Sequence, residues 1–163
     1  MIAGPEAVET LDAILSVLSE EEEQLARLLG LALEEQRALV TSNTNALEEI
    51  NAKMLELAEG IDVLEDRRGK LLGEFAEGVE TLSELMPLAQ DLGVDGFGAA
   101  RERLVDAAVR LQRAQERNAH LIMAAMRLGE RWMNLAAGMT SPTYGAAGKQ
   151  RAGRSNGLMS RSA

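Results

Sequence analysis

Residues 45–68 read NALEEINAKMLELAEGIDVLEDRR, and the spacing of the apolar side chains in this stretch decides the fold class. Leu47, Ile50, Met54, Leu57, Ile61 and Leu64 recur at steps of three and four, and the series resumes at Leu71, Phe75, Leu82 and Leu85. Such steps place side chains on one face of an α-helix, whereas a half-buried strand needs alternation at every second position. Arg68 and Gly78 are the exceptions in this seam. Gly60, Gly69, Gly73 and Gly78 each weaken a helix by up to about 1 kcal/mol relative to alanine. The helix is therefore expected to reach Gly73 or Gly78 and to be irregular by Pro87. The stretch PLAQDLGVDGFGAA, residues 87–100, reads as a break.

Working outward, a preceding helix starts at Pro5, which suits a first turn because no N–H is needed there. Glu6, Glu9 and Asp12 lie near its positive end. Its seam runs Val8, Leu11, Leu15, Leu18, Leu25, Leu29, Ala32 and Leu39, widened by Leu28 and Leu31 and interrupted by Glu22 and Gln36. From Pro5 to Val40 such a helix is about 54 Å long. Asn43 and Thr44 both offer caps for the helix that follows. Downstream, a third helix is expected from Ala99 to Ala137, with the seam Leu104, Ala107, Leu111, Ala114, Asn118, Leu121, Ala125, Leu128, Trp132 and Leu135. A second stripe runs beside it through Val105, Val109, Ile122, Met126 and Met133. That face is wider than one coiled-coil seam requires.

The chain has 163 residues, 46% of them hydrophobic and only 2% aromatic, so a core must come from aliphatic stripes packed along helices. The expected fold is all-α: an elongated antiparallel three-helix coiled coil with helices at about 5–40, 44–78 and 99–137 in a domain over 1–138. Residues 139–163, rich in Gly, Ser, Ala and Arg, are expected to form a disordered basic tail.

Charge is unevenly placed. Residues 1–90 hold 20 acids and 6 bases, residues 91–138 hold 6 acids and 7 arginines, and residues 139–163 hold 4 bases and no acid. The net charge of -9 argues against nucleic acid as the main partner. No apolar run approaches the roughly 20 residues of an integral membrane segment, and the N-terminus lacks a secretory pattern, so a cytoplasmic location is expected.

Catalytic chemistry has little to stand on. With no cysteine and one histidine, thiolate chemistry and disulfides are out. The residue three before His120 is Arg117, so not even one Glu-x-x-His unit of a di-metal bundle is present. Glu20 to Glu23 form four adjacent carboxylates that point in different directions, which reads as a solvated helix face. DGFGAA lacks the lysine and hydroxyl of a phosphate loop. Neither catalytic residues, metal nor cofactor are expected.

Two features point to binding. Asn118 falls on the apolar seam, where it either fixes helix register or meets the backbone of an incoming helix. Met123, Met126, Met133 and Met139 gather late in the chain, and methionine suits both irregular cores and adaptable binding surfaces. The surplus width of the third helix must be covered by another chain, another copy or the tail.

In LDAILSVLSEEEEQLARLLGLALEEQRAL (11–39), NALEEINAKMLELAEGIDVLEDRR (45–68), ERNAHLI (116–122) and TYGAAG (143–148), the chain resembles the FlgN-type flagellar type III export chaperones over nearly its whole length. It departs from that pattern at Gln115, where an asparagine is frequent, and at Ala147, where an acid is frequent. The resemblance implies a small helical cytosolic chaperone without cofactor or catalysis. It would hold the C-terminal segments of hook–filament junction (hook-associated) proteins and deliver them to the cytoplasmic domain of the flagellar export gate. Client contacts are then expected at Val105, Val109, Asn118, Leu121, Ile122, Met126 and Met133. Gate docking falls on Tyr144 with Gly145 and Gly148; the alternative for Tyr144 is to cap exposed Leu or Met at the end of the third helix. A self-associating coiled-coil scaffold is the competing function.

Overall fold

The structure, a computed structural model, describes residues 4–140. It contains four helices: α1 (Pro5–Val40), α2 (Thr44–Phe75), α3 (Leu82–Asp91) and α4 (Phe97–Thr140). No strand occurs among the described residues. The chain divides into two units, Met1–Leu121 and Ile122–Ala163. The expected tail lies almost wholly outside the described residues.

The expectation of three helices is corrected to four. The segment around Pro87 was read as a break, yet it is helical for ten residues. A capping box starts α3: the Thr81 hydroxyl accepts from the Glu84 N–H at 3.3 Å, and the Glu84 carboxylate accepts from the Thr81 N–H at 3.0 Å. Pro87 removes the donor that would meet the Ser83 carbonyl, and both Ser83 and Pro87 are exposed residues, on the side of the helix away from the core. Leu85 and Ala89 are buried and hold the helix to the core.

Other boundaries shift for equally local reasons. α2 ends at Phe75 rather than Gly78 because Ala76 is extended and Gly78 takes φ 84°. α4 starts at Phe97, two residues earlier than expected, where Phe97 itself is buried. It runs to Thr140 rather than Ala137.

Two helix ends use the same closure. After α3, the Val94 N–H reaches the Ala89 carbonyl (2.9 Å) and the Gly93 N–H the Gln90 carbonyl (3.0 Å), with Gly93 at φ 75°. After α1, the Asn43 N–H reaches Ala38 (2.9 Å) and the Ser42 N–H reaches Leu39 (3.3 Å), with Ser42 at φ 54°. Both are Schellman closures; α1 makes its own with a serine where glycine is the usual choice. Asn43 then caps α2 by accepting from the Ala46 N–H at 3.2 Å.

Within the first unit the pairings set the directions. The three-residue turn sends α2 back along α1, and Glu21 of α1 meets Arg68 of α2. Glu22 pairs with Arg103, and Ala32 with Asn118, so α1 and α4 ascend together. One apolar cluster joins Ala7, Leu11, Ile14 and Leu18 of α1 to Leu72, Phe75, Leu85, Ala89, Phe97 and Ala100. A smaller one joins Leu28 and Ala32 to Leu111 and Ala114, with Met54, Leu57 and Ile61 partly covering it.

The expected α1 seam is out of phase by one residue over part of its length. Ala7, Ile14 and Glu21 are buried, whereas Val8 is exposed and Leu15, Glu22 and Leu29 stand at the margin. The apolar face of α1 is broad enough that either phase satisfies a 3-4 count. The seams chosen in α2 and in the first part of α4 match the buried or half-buried positions.

Candidate partner-binding surfaces

The acidic run Glu20 to Glu23 is the expected solvated face only in part: Glu20 and Glu23 are exposed, Glu22 is half-buried and Glu21 is buried, and each carboxylate has an arginine. Glu20 faces Arg67 at 3.9 Å, Glu21 bonds Arg68, Glu22 accepts from Arg103 at 3.0 Å, and Glu23 accepts from Arg27 at 2.6 Å. Side chains that fan out around one turn can reach α2, α4 and α1 itself, so the run ties three helices at one level. Only the Glu21 carboxylate is fully buried, and its Oε1 has no partner among the described residues. Burial pushes the Glu21 carboxyl above the usual range, Arg68 opposes that, and Glu65 adds to it. Arg68, an exception in the α2 seam, is thereby explained as the partner of a buried acid.

Asn118 is buried, and its Nδ2 donates to the Ala32 carbonyl and to the Glu35 carboxylate, both at 2.7 Å. Its donor capacity is thus committed to α1. This is the arrangement expected of a residue that fixes register. In the same unit Val105 is exposed and lines a cleft of about 230 Å³ beside the Glu21–Arg68 pair. Val109 is exposed and Leu121 half-buried.

The second unit offers a different surface. Ile122, Met123, Met126, Leu128, Trp132, Met133, Leu135 and Met139 are all exposed, Met133 to 73%. Ile122, Met126 and Met133 were expected as contacts. Leu128, Trp132 and Leu135 were assigned to a packed seam and are instead open. The heptad count gives their face correctly but carries no information on whether a neighbour covers it. Tyr144, Gly145 and Gly148 lie outside the described residues.

No group of His, Asp or Glu suited to a metal ion occurs among the described residues, and no described helix is long and apolar enough to cross a membrane. An exposed apolar run of this breadth marks an interaction surface. The chain belongs to the FlgN family: the family model described as FlgN protein matches residues 1–152. That family is one of chaperones, is not known as enzymatic, and suggests a flagellar export chaperone. No curated protein and no solved structure matches the chain.

Proposed function

We propose that the protein works in the cytoplasm, holds the C-terminal segments of hook–filament junction proteins and delivers them to the cytoplasmic domain of the flagellar export gate. The observation that carries this reading is the exposed apolar run from Ile122 to Met139. Contiguous apolar surface of this kind marks an interaction site rather than ordinary surface. An amphipathic client segment would bury its apolar face against Ile122, Met126, Trp132 and Met133. Ordering a disordered segment consumes part of the interaction energy, which suits reversible holding before delivery. Val105, Val109 and Leu121 are the contacts offered by the first unit. Asn118 acts as the register residue behind them, its amide held by α1. Tyr144, followed by Gly145 and Gly148, is the gate contact: a rigid apolar ring with a polar tip loses little freedom on docking.

The test uses the full chain and a synthetic C-terminal peptide of a junction protein from the same organism. Trp132, the only tryptophan, reports directly on the proposed surface. Titration should move its emission and give about 1:1 stoichiometry. Ile122→Asp should keep the helicity and weaken binding at least roughly tenfold, as expected for a charge forced against an apolar client. Tyr144→Ala should keep client binding and lose gate capture. An unchanged affinity in Ile122→Asp would remove the client platform. Self-association of the chain without any peptide binding would favour the scaffold.

A further inference from the structure

The face between α1 and α4 in the first unit carries a second surface with opposite chemistry. Leu29 and Leu33 of α1 and Arg110, Arg113, Glu116, Arg117 and His120 of α4 line an open groove of about 650 Å³. The four basic residues sit at steps of three and four along α4, so they form one row beside the buried seam Leu111, Ala114, Asn118. In the adjoining cleft, which shares Leu29 and Arg110 with this groove, the charges are matched: Arg103 has Glu22, and Arg110 has Asp106 at 2.9 Å. Higher up they are not. Among the described residues Arg113 and Arg117 make no ion pair, and Glu116 instead accepts from Gln112 at 3.2 Å. An acidic protein thus leaves a row of unmatched arginines over a leucine floor.

We propose that this groove docks an acidic amphipathic helix of a partner protein, with its leucine-type side chains on Leu29 and Leu33 and its carboxylates on Arg113 and Arg117. Charge complementarity selects the occupant. Guanidinium groups take carboxylates in bidentate fashion, and the apolar floor gives a purely polar strand nothing to bury. The chain's own residues 139–163 carry 4 bases and no acid, so they are repelled from it. This docking is separate from the apolar run of the second unit and does not depend on the export reading.

The probe is a fluorescein-labelled peptide of roughly 18 residues, about five helical turns, with leucines at steps of three and four flanked by glutamates; its twin carries lysine for every glutamate. Anisotropy with the full chain at low salt should show saturable binding of the acidic peptide and none of the twin, with clear weakening as salt screens the contacts. Arg113→Glu together with Arg117→Glu, both exposed, should retain helicity and weaken the acidic peptide about tenfold or more, whereas the paired lysine variant, which keeps the charge but loses the bidentate fork, should weaken it by a smaller factor. Ile122→Asp should leave this binding in place. Equal binding of the two peptides, an unchanged affinity in the double glutamate variant, or loss of binding in Ile122→Asp alone would each overturn the proposal. So would a single-stranded RNA oligomer that displaces the peptide and binds more tightly. A dimer of the chain in sedimentation that disappears in the double glutamate variant would assign the groove to a second copy and overturn it too.

Discussion

Two stretches of α4 share one sequence pattern and differ in what lies over it. From Phe97 to Leu121, the residues Ala100, Leu111, Ala114 and Asn118 are buried. From Ile122 to Met139, with the same 3-4 spacing, every side chain is exposed. Periodicity therefore reports which face of a helix is apolar; it does not report whether that face is covered. What covers the first stretch is a set of specific partners: Phe75 and Leu85 around Phe97 and Ala100, Leu28 and Ala32 against Leu111 and Ala114. The second stretch keeps apolar residues without an equivalent set among the described residues, and in a chaperone family that is the surface on which a client is expected.

The sharpest way to break this contrast is to remove large side chains from each kind of surface. Phe75 is fully buried in the cluster that holds the start of α4. Phe75→Ala should cost about 3–5 kcal/mol in chemical denaturation, through lost burial and the cavity left behind. Trp132, 63% exposed, should cost within about 0.5 kcal/mol on the same substitution, although it is the larger residue. Similar losses at both sites would mean that the second stretch is covered in solution.

The legible part of the fold follows the same division. Helix α1 could be placed from Pro5 to Val40 because local signals mark both its ends, and the α2 and early α4 seams because apolar residues recur with few competitors. Helix α3 was hidden, since Pro87 and the neighbouring glycines outweigh a capping box that matters only once Leu85 and Ala89 have a core to enter. The phase of α1 was ambiguous because Ala7, Val8, Ile14 and Leu15 are all apolar. The burial within the acidic run was missed for a different reason: arginines 47 or more positions away supply three of its four partners, and no local count finds them. For the proposed surfaces, the apolar excess of the last helix was visible, but the groove at Arg113 and Arg117 was not. Its leucine floor comes from α1, which the sequence does not place beside it.

An intermediate effect is expected at the ion pair that closes the first unit between its two apolar clusters. Arg68→Ala leaves the buried Glu21 carboxylate without its counter-charge and should cost about 3 kcal/mol at neutral pH. Its pH dependence has a defined sign. The folded Glu21 carboxyl is raised above the ordinary value of 4.5, chiefly by burial, so the folded state binds more protons over the interval above 4.5. Its contribution to stability is fully present below that value and is lost as pH rises through the raised one. Glu84 acts in the opposite direction, since its capping hydrogen bonds lower its carboxyl. The difference between the parent and Glu21→Gln isolates the Glu21 component: the parent should gain stability relative to the variant as pH falls through the interval. A constant difference across it would show that Glu21 does not titrate abnormally.

The smallest effect falls on the comparison itself. Ala114 and Ala125 are both helical alanines of α4, the first buried and the second exposed. Glycine costs a helix interior up to about 1 kcal/mol relative to alanine by backbone freedom alone. At Ala114 that cost is added to the global stability, because the helix there opens only with the core around Leu28 and Ala32. At Ala125 no packed cluster among the described residues shares the cost, so local opening absorbs it. Ala125→Gly should therefore lower helicity by circular dichroism, speed amide exchange between Ile122 and Met139, and leave the cooperative melting midpoint in place. Ala114→Gly should move the midpoint. A bound client peptide would order the exposed stretch and couple it to a partner, so in the complex Ala125→Gly should weaken binding by up to about fivefold, the equivalent of the same 1 kcal/mol. A midpoint shifted equally by both glycines, without any client, would show that the two stretches open as one cooperative unit and that their difference in exposure has no energetic counterpart.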